Sequence, residues 1–115
     1  MSLDVSVKEG RTVEVYEDNI TYNLAPMYYK CIDENLGFKL LNGMKCKDAA
    51  VVLNRAIDDL VENKEEYEKL NPENGWGSYE GLLKSLKSLR IACLENPNGK
   101  VGVIWCGLEV KIKWI

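Results

Sequence analysis

The run Asn71-Pro72-Glu73-Asn74-Gly75-Trp76-Gly77-Ser78-Tyr79-Glu80-Gly81 concentrates amides, an indole, a phenol and carboxylates within a few residues of one another. Tyr22 and Asn23 repeat the combination of a phenol and an amide earlier in the chain. Aromatic faces beside amide hydrogen-bonding groups are the usual ingredients of a small-molecule pocket or a protein hot spot. The candidate binding residues are therefore Tyr22, Asn23, Asn74, Gly75, Trp76, Gly77, Tyr79 and Glu80. If Tyr22 and Asn23 open one helix and Asn74 to Tyr79 open another, the two N-termini can present N–H groups to a small anion or a partner's carboxylate. That requires the two segments to converge, which their spacing does not show.

Catalytic chemistry has a thinner inventory. There is no histidine, which removes Ser-His and Cys-His nucleophilic pairs. Gly75-Trp76-Gly77-Ser78 follows a helical pattern rather than a strand and is no nucleophile elbow. Neither a phosphate loop ending in Lys-Ser/Thr nor a dinucleotide fingerprint is present, and no cofactor is expected. Carboxylate pairs such as Asp58-Asp59 or Glu73 with Glu80 are expected by chance among 18 acidic residues. The enzymatic alternative is carboxylate and tyrosine chemistry around Tyr22, Tyr79 and Glu80, and it requires those three side chains to meet in one cleft. Cys31, Cys46, Cys93 and Cys106 contain no Cys-x-x-Cys pair and lie among apolar neighbours, so they read as reduced, buried small hydrophobes rather than zinc ligands.

The 15 basic and 18 acidic residues give a net charge of −3, with the basic ones scattered. Nucleic acid is not expected as the main partner, because a phosphate backbone needs clustered cations. No apolar stretch approaches the ~20 residues of a membrane-spanning helix. The N-terminal residues lack a basic region followed by an apolar run, so no secretory signal is expected and a cytoplasmic location is the default. A length of 115 residues with 46% hydrophobic composition suits one globular domain over residues 1–115.

The elements that must position these groups follow from periodicity. Val5, Val7, Val13 and Val15 alternate with polar residues, which predicts a hairpin; a three-residue loop, Glu9 to Arg11, would pair Val7 with Val13 and Val5 with Val15. Asn23 ahead of Pro26 predicts a helix start with Asn23 as N-cap, and Gly37 would end that helix. Ala49, Leu53, Ala56, Ile57 and Leu60 recur at helical spacing from about Cys46, and Glu62 to Glu66 form a solvated last turn or loop with Tyr67 and Leu70 packing back. A third helix spans Ser78 to Glu95, its inward stripe being Tyr79, Leu82, Leu83, Leu86, Leu89 and Cys93. Beyond it Val101, Val103 and Trp105 are apolar at odd positions, and Leu108, Val110, Ile112 and Trp114 at even ones. A hairpin turning at Cys106-Gly107, pairing Val103 with Val110 and Val101 with Ile112, accounts for the slip, and a bulge in one long strand does so too. The order predicts an α+β domain: an antiparallel sheet from the N-terminal hairpin and C-terminal strand or strands, with three helices between, packed on one face.

The run Asn-Pro-x-Asn-Gly-Trp-Gly-x-Tyr-Glu at 71–80, with the upstream Asn19-Ile20-Thr21-Tyr22-Asn23-Leu24 and Met27, resembles a family of small uncharacterised proteins of bacteriophages, prophages and related mobile elements. The resemblance implies an accessory role and transfers no activity. A non-enzymatic module that binds a host or phage protein, or a small ligand such as a nucleotide, is the functional expectation. A self-assembling protein that forms a homodimer through its C-terminal strand edge is a further alternative. Gly75 and Gly77 also permit an architectural reading, in which Trp76 turns inward between two helices, Asn74 makes a local turn and Ser78 caps the following helix.

Overall fold

A computed structural model of the chain describes residues 2–10 and 13–106, with the side chains of 105 and 106 and everything from 107 onward outside the description. Three strands, β1 (Ser2–Glu9), β2 (Val13–Thr21) and β3 (Lys100–Cys106), form an antiparallel sheet in the order β2-β1-β3. Between β2 and β3 lie a 3₁₀ turn at Tyr22–Leu24, α1 (Ala25–Cys31), a second 3₁₀ turn at Gly37–Leu41, α2 (Cys46–Glu62), α3 (Lys64–Glu68) and α4 (Tyr79–Glu95). The expected α+β class therefore holds, with the helices on one face of the sheet.

That face is built from the odd residues of β1 and β3. Leu3, Val5 and Val7 are buried, as are Val101 and Val103, while Ile104 points to solvent. Against them pack Met27, Tyr28, Phe38 and the inner stripes of α2 and α4. Leu82, Leu86, Leu89 and Cys93 are buried as their spacing requires, and Leu83 is half-buried at the stripe's margin. α2 and α4 run antiparallel: Lys47 N–H donates to Pro97 C=O at one end of the pair, and the Tyr79 hydroxyl to Leu60 C=O at the other. Arg90 Nη1 donates to Asn54 Oδ1 between them.

The N-terminal hairpin forms in a different register from the expected one. A bulge between Val7 and Lys8 sets Val7 opposite Tyr16, Val5 opposite Asp18 and Leu3 opposite Ile20, while Glu9 faces Val13. The pairing of Glu9 with Val13 replaces the expected pairing of Val7 with Val13, and Val13 and Val15 are 56% and 43% exposed. One extra residue in a strand inverts which side chains face the core. Here the phase that carries Ile20 onto Leu3 prevails.

The helices also depart from expectation at their ends. Thr21, not Asn23, caps the first 3₁₀ turn, its Oγ1 accepting from Asn23 N–H, and α1 stops at Cys31 well before Gly37, which instead opens the second 3₁₀ turn. α2 stops at Glu62, where the Asn63 backbone leaves helical geometry at φ −116° and ψ 38° and its side chain turns back to the Asp59 carbonyl and carboxylate. The charged stretch after it is a separate short helix, α3, anchored by Tyr67, which is fully buried and donates to the Asp59 carboxylate.

β3's outer edge is occupied. Val101 N–H donates to Met44 C=O, Val101 C=O accepts from Gly43 N–H, and Val103 N–H donates to Asn42 Oδ1. The Asn42-Gly43 turn thus lies along Val101 and Val103, and the hairpin or bulge expected at Cys106-Gly107 falls on residues outside the description. Residues Gly107 to Ile115 themselves lie outside the described residues. The homodimer expected through the C-terminal strand edge rests on Trp105, Trp114 and Ile115, whose side chains lie outside the described residues. β2 is the outer strand on the other side, and it carries Asp18 on the core-facing side and exposed Glu14 and Glu17, where Glu14 pushes the Glu17 carboxyl upward by like-charge repulsion. Inward-pointing and clustered charges on an edge strand resist sheet-to-sheet pairing.

Candidate functional site

The loop between α3 and α4 is shaped by its own polar groups. Asn74 Oδ1 accepts from Trp76 N–H at 2.9 Å, closing an Asx turn, and Gly75 and Gly77 take φ values of 74° and 104°. Both angles lie in the region that glycine occupies without steric cost. Ser78 Oγ accepts from Gly81 N–H and Asn71 Oδ1 from Tyr79 N–H, so α4 begins with two of its leading donors already satisfied by side chains.

Gly77 carries this loop onto the end of β2. A Cβ at Gly77 would stand 2.8 Å from Thr21 Cγ2 and 3.0 Å from Leu24 Cγ, a separation that only a residue without a side chain permits. The two amide- and aromatic-rich segments therefore do converge. What they enclose is a cleft of about 550 Å³ lined by Ser2, Asn19, Thr21, Tyr22, Asn23 and Trp76. Ser2 enters because β1 begins opposite Thr21.

Trp76 is 71% exposed. The inward packing of Trp76 between helices is thus overturned: the space between α2 and α4 is filled by Tyr79, Leu82 and Leu86, and the glycines turn the indole outward to the cleft. Asn19 is locked in place, its Nδ2 donating both to Ser2 Oγ at 2.9 Å and to the Asp4 carboxylate at 2.8 Å. With both amide hydrogens committed, Oδ1 is the atom it has left to offer. Ser2 Oγ and Thr21 Oγ1 each already accept one hydrogen bond, and so retain a hydroxyl proton to donate.

The remaining candidates divide into supports and outsiders. Asn74, Gly75 and Gly77 shape the loop and do not line the cleft. Tyr79 is buried, its hydroxyl bonded to Leu60 C=O at 2.6 Å, and burial pushes its pKa up. Glu80 lines a separate groove of about 310 Å³ on the outer side of α4 with Leu83, Lys84, Lys87, Ser88 and Ile91. Tyr22, Tyr79 and Glu80 therefore do not meet, as the carboxylate and tyrosine chemistry requires. An anion site built on two helix N-termini is not formed either, because Ser78 and Asn71 cap α4 and a 3₁₀ turn precedes α1.

Ser2, Asn19 and Thr21 were not among the expected site residues. Asn19 and Thr21 stand in the segment that leads to Tyr22, but only the strand register shows that Ser2 and Asn19 belong beside Trp76. Among the described residues no group of three or more metal-ligating side chains occurs, and no helix is long and apolar enough to cross a membrane. Cys31 and Cys93 are not activated: burial pushes the Cys93 thiol up to about 12, with Cys46 beside it adding to the rise, and burial together with Asp59 pushes Cys31 up to about 12. Comparison with protein-family models, curated proteins and solved structures finds no match.

Proposed function

We propose that the chain is a non-enzymatic binding module, an accessory protein of a bacteriophage, prophage or related mobile element, that captures its ligand or protein partner in the Trp76 cleft. The observation that carries this reading is an indole left 71% exposed at the meeting point of two segments, on a loop held rigid by Asn74, Ser78 and Asn71. An exposed tryptophan has no packing role to explain it, and a rigid aromatic beside hydrogen-bonding side chains is how binding sites obtain affinity at low entropic cost. The motif at 71–80 supports the mobile-element lineage.

The test is a pull-down from bacterial host lysate with the parent chain and with Trp76→Ala, each checked for native circular dichroism, followed by calorimetry with the purified partner. A partner or small molecule retained by the parent and lost by the folded variant supports the reading. Identical capture by both would refute it.

A further inference from the structure

We propose that the cleft takes an uncharged saccharide, with one face of a pyranose ring on the Trp76 indole and the ring hydroxyls bonded by Asn19, Asn23, Ser2 and Thr21. This rests on the reading of the cleft as a binding site, and it assigns the ligand class.

Three observations select that class. The first is charge: none of the six described lining residues is ionisable near neutral pH, and the Asp4 carboxylate accepts from Asn19 at the margin. Among the described residues the lining offers a phosphate or nucleotide no cation, and a nucleic acid strand no basic track along its backbone.

The second is the hydrogen-bonding inventory. Asn19 offers an acceptor, Ser2 and Thr21 offer donors, and the exposed Asn23 side chain offers both. Sugar hydroxyls donate and accept at once and match such a mixed set. The Asn19 amide is fixed by two bonds before any ligand arrives, which lowers the ordering cost of binding.

The third is the platform. The π face of an indole is negative, and the C–H groups on one face of a pyranose are weakly positive and apolar, so the two stack while the hydroxyls project sideways to the rim. A cleft of about 550 Å³ is in the size range of small-ligand sites, roughly 300–1,000 Å³.

The experiment is a ¹H–¹⁵N titration of the full chain with maltotriose, cellotriose and chitotriose, with AMP and inorganic phosphate as anionic probes, beside a printed array of natural glycans. The Trp76 indole signal is assigned by its loss in Trp76→Phe. The expected result is saturable shifts of the Trp76 indole and the Asn19 and Asn23 side-chain amides with a neutral glycan, and none with AMP or phosphate. Trp76→Ala should weaken binding about tenfold or more, and Trp76→Phe, which keeps an aromatic face, should retain most of it. A response to AMP or phosphate without one to any glycan overturns the saccharide assignment. If no glycan binds but a lysate partner is still captured through Trp76, the saccharide assignment falls and the binding-module reading stands; if neither occurs, both fall.

Discussion

Gly77 and Thr21 touch in a way that leaves no room for a side chain: a Cβ at Gly77 would lie 2.8 Å from Thr21 Cγ2. This contact joins the helix-connecting loop to the end of β2 and so creates the cleft. Gly77→Ala must therefore bear both a positive φ and overpacking, and should destabilise the chain by about 3 kcal/mol. Gly75→Ala has the positive φ but open space around it, and should cost only about 1–2 kcal/mol. Urea unfolding of the two variants measures the difference, and equal losses would show that the Gly77–Thr21 approach is unimportant.

The proposed recognition role of Trp76 is separable from stability. Because its side chain is largely exposed, Trp76→Ala should shift the free energy of unfolding by no more than ~0.5 kcal/mol. A loss of about 3 kcal/mol or more, typical of truncating a buried aromatic, would place the indole in the core after all.

Two buried tyrosines should respond in opposite ways to removal of the hydroxyl. Among the described residues the buried Tyr28 hydroxyl has no hydrogen-bond partner, whereas Tyr79 donates to Leu60 C=O. Tyr28→Phe deletes an unsatisfied polar group and should leave stability unchanged or raise it by up to about 1 kcal/mol. Tyr79→Phe strands the carbonyl and should cost about 1–2 kcal/mol. Thermal or urea unfolding of the pair decides it, and a destabilised Tyr28→Phe would reveal a partner for that hydroxyl.

Alkali should unfold the chain through groups that the fold keeps neutral. Burial pushes Cys31 and Cys93 from 9.0 to about 12, and burial together with Asp18 pushes Tyr16 from 10.0 to about 12. A raised folded pKa means the stabilisation is fully present below the unfolded value and disappears as pH climbs toward the folded one. The urea midpoint should accordingly hold up to about pH 9 and fall steadily between about pH 9 and 12. Thiolate absorbance should lag that of the unfolded chain over the same interval, and a midpoint indifferent to pH up to 11 would contradict the burial of these groups.

Much of the helical frame was legible in residue order alone. The stripe Ala49, Leu53, Ala56, Ile57, Leu60 and, apart from the half-buried Leu83, the stripe beginning at Tyr79 are buried as expected, and Ser78 caps α4 as its type predicts. Helical periodicity, an N-cap and an Asx turn are settled within a few residues, so their signals are local. The helix break at Asn63 was missed because asparagine also occurs inside helices, and only its bonds back to Asp59 show that it ends one here.

The site was half legible. The sequence by itself determined two segments rich in amides and aromatics, a loop with rigid turns, and an antiparallel sheet behind a helical layer. Only the tertiary structure decided that the segments meet, that Trp76 faces outward, that Tyr79 serves the core, and that Ser2 and Asn19 join the cleft. Strand register and loop docking depend on contacts between residues far apart in the chain, where one bulge at Val7 inverts the faces of β2 and one missing Cβ at Gly77 permits an approach. Such long-range fits have no periodic signature for residue order to display.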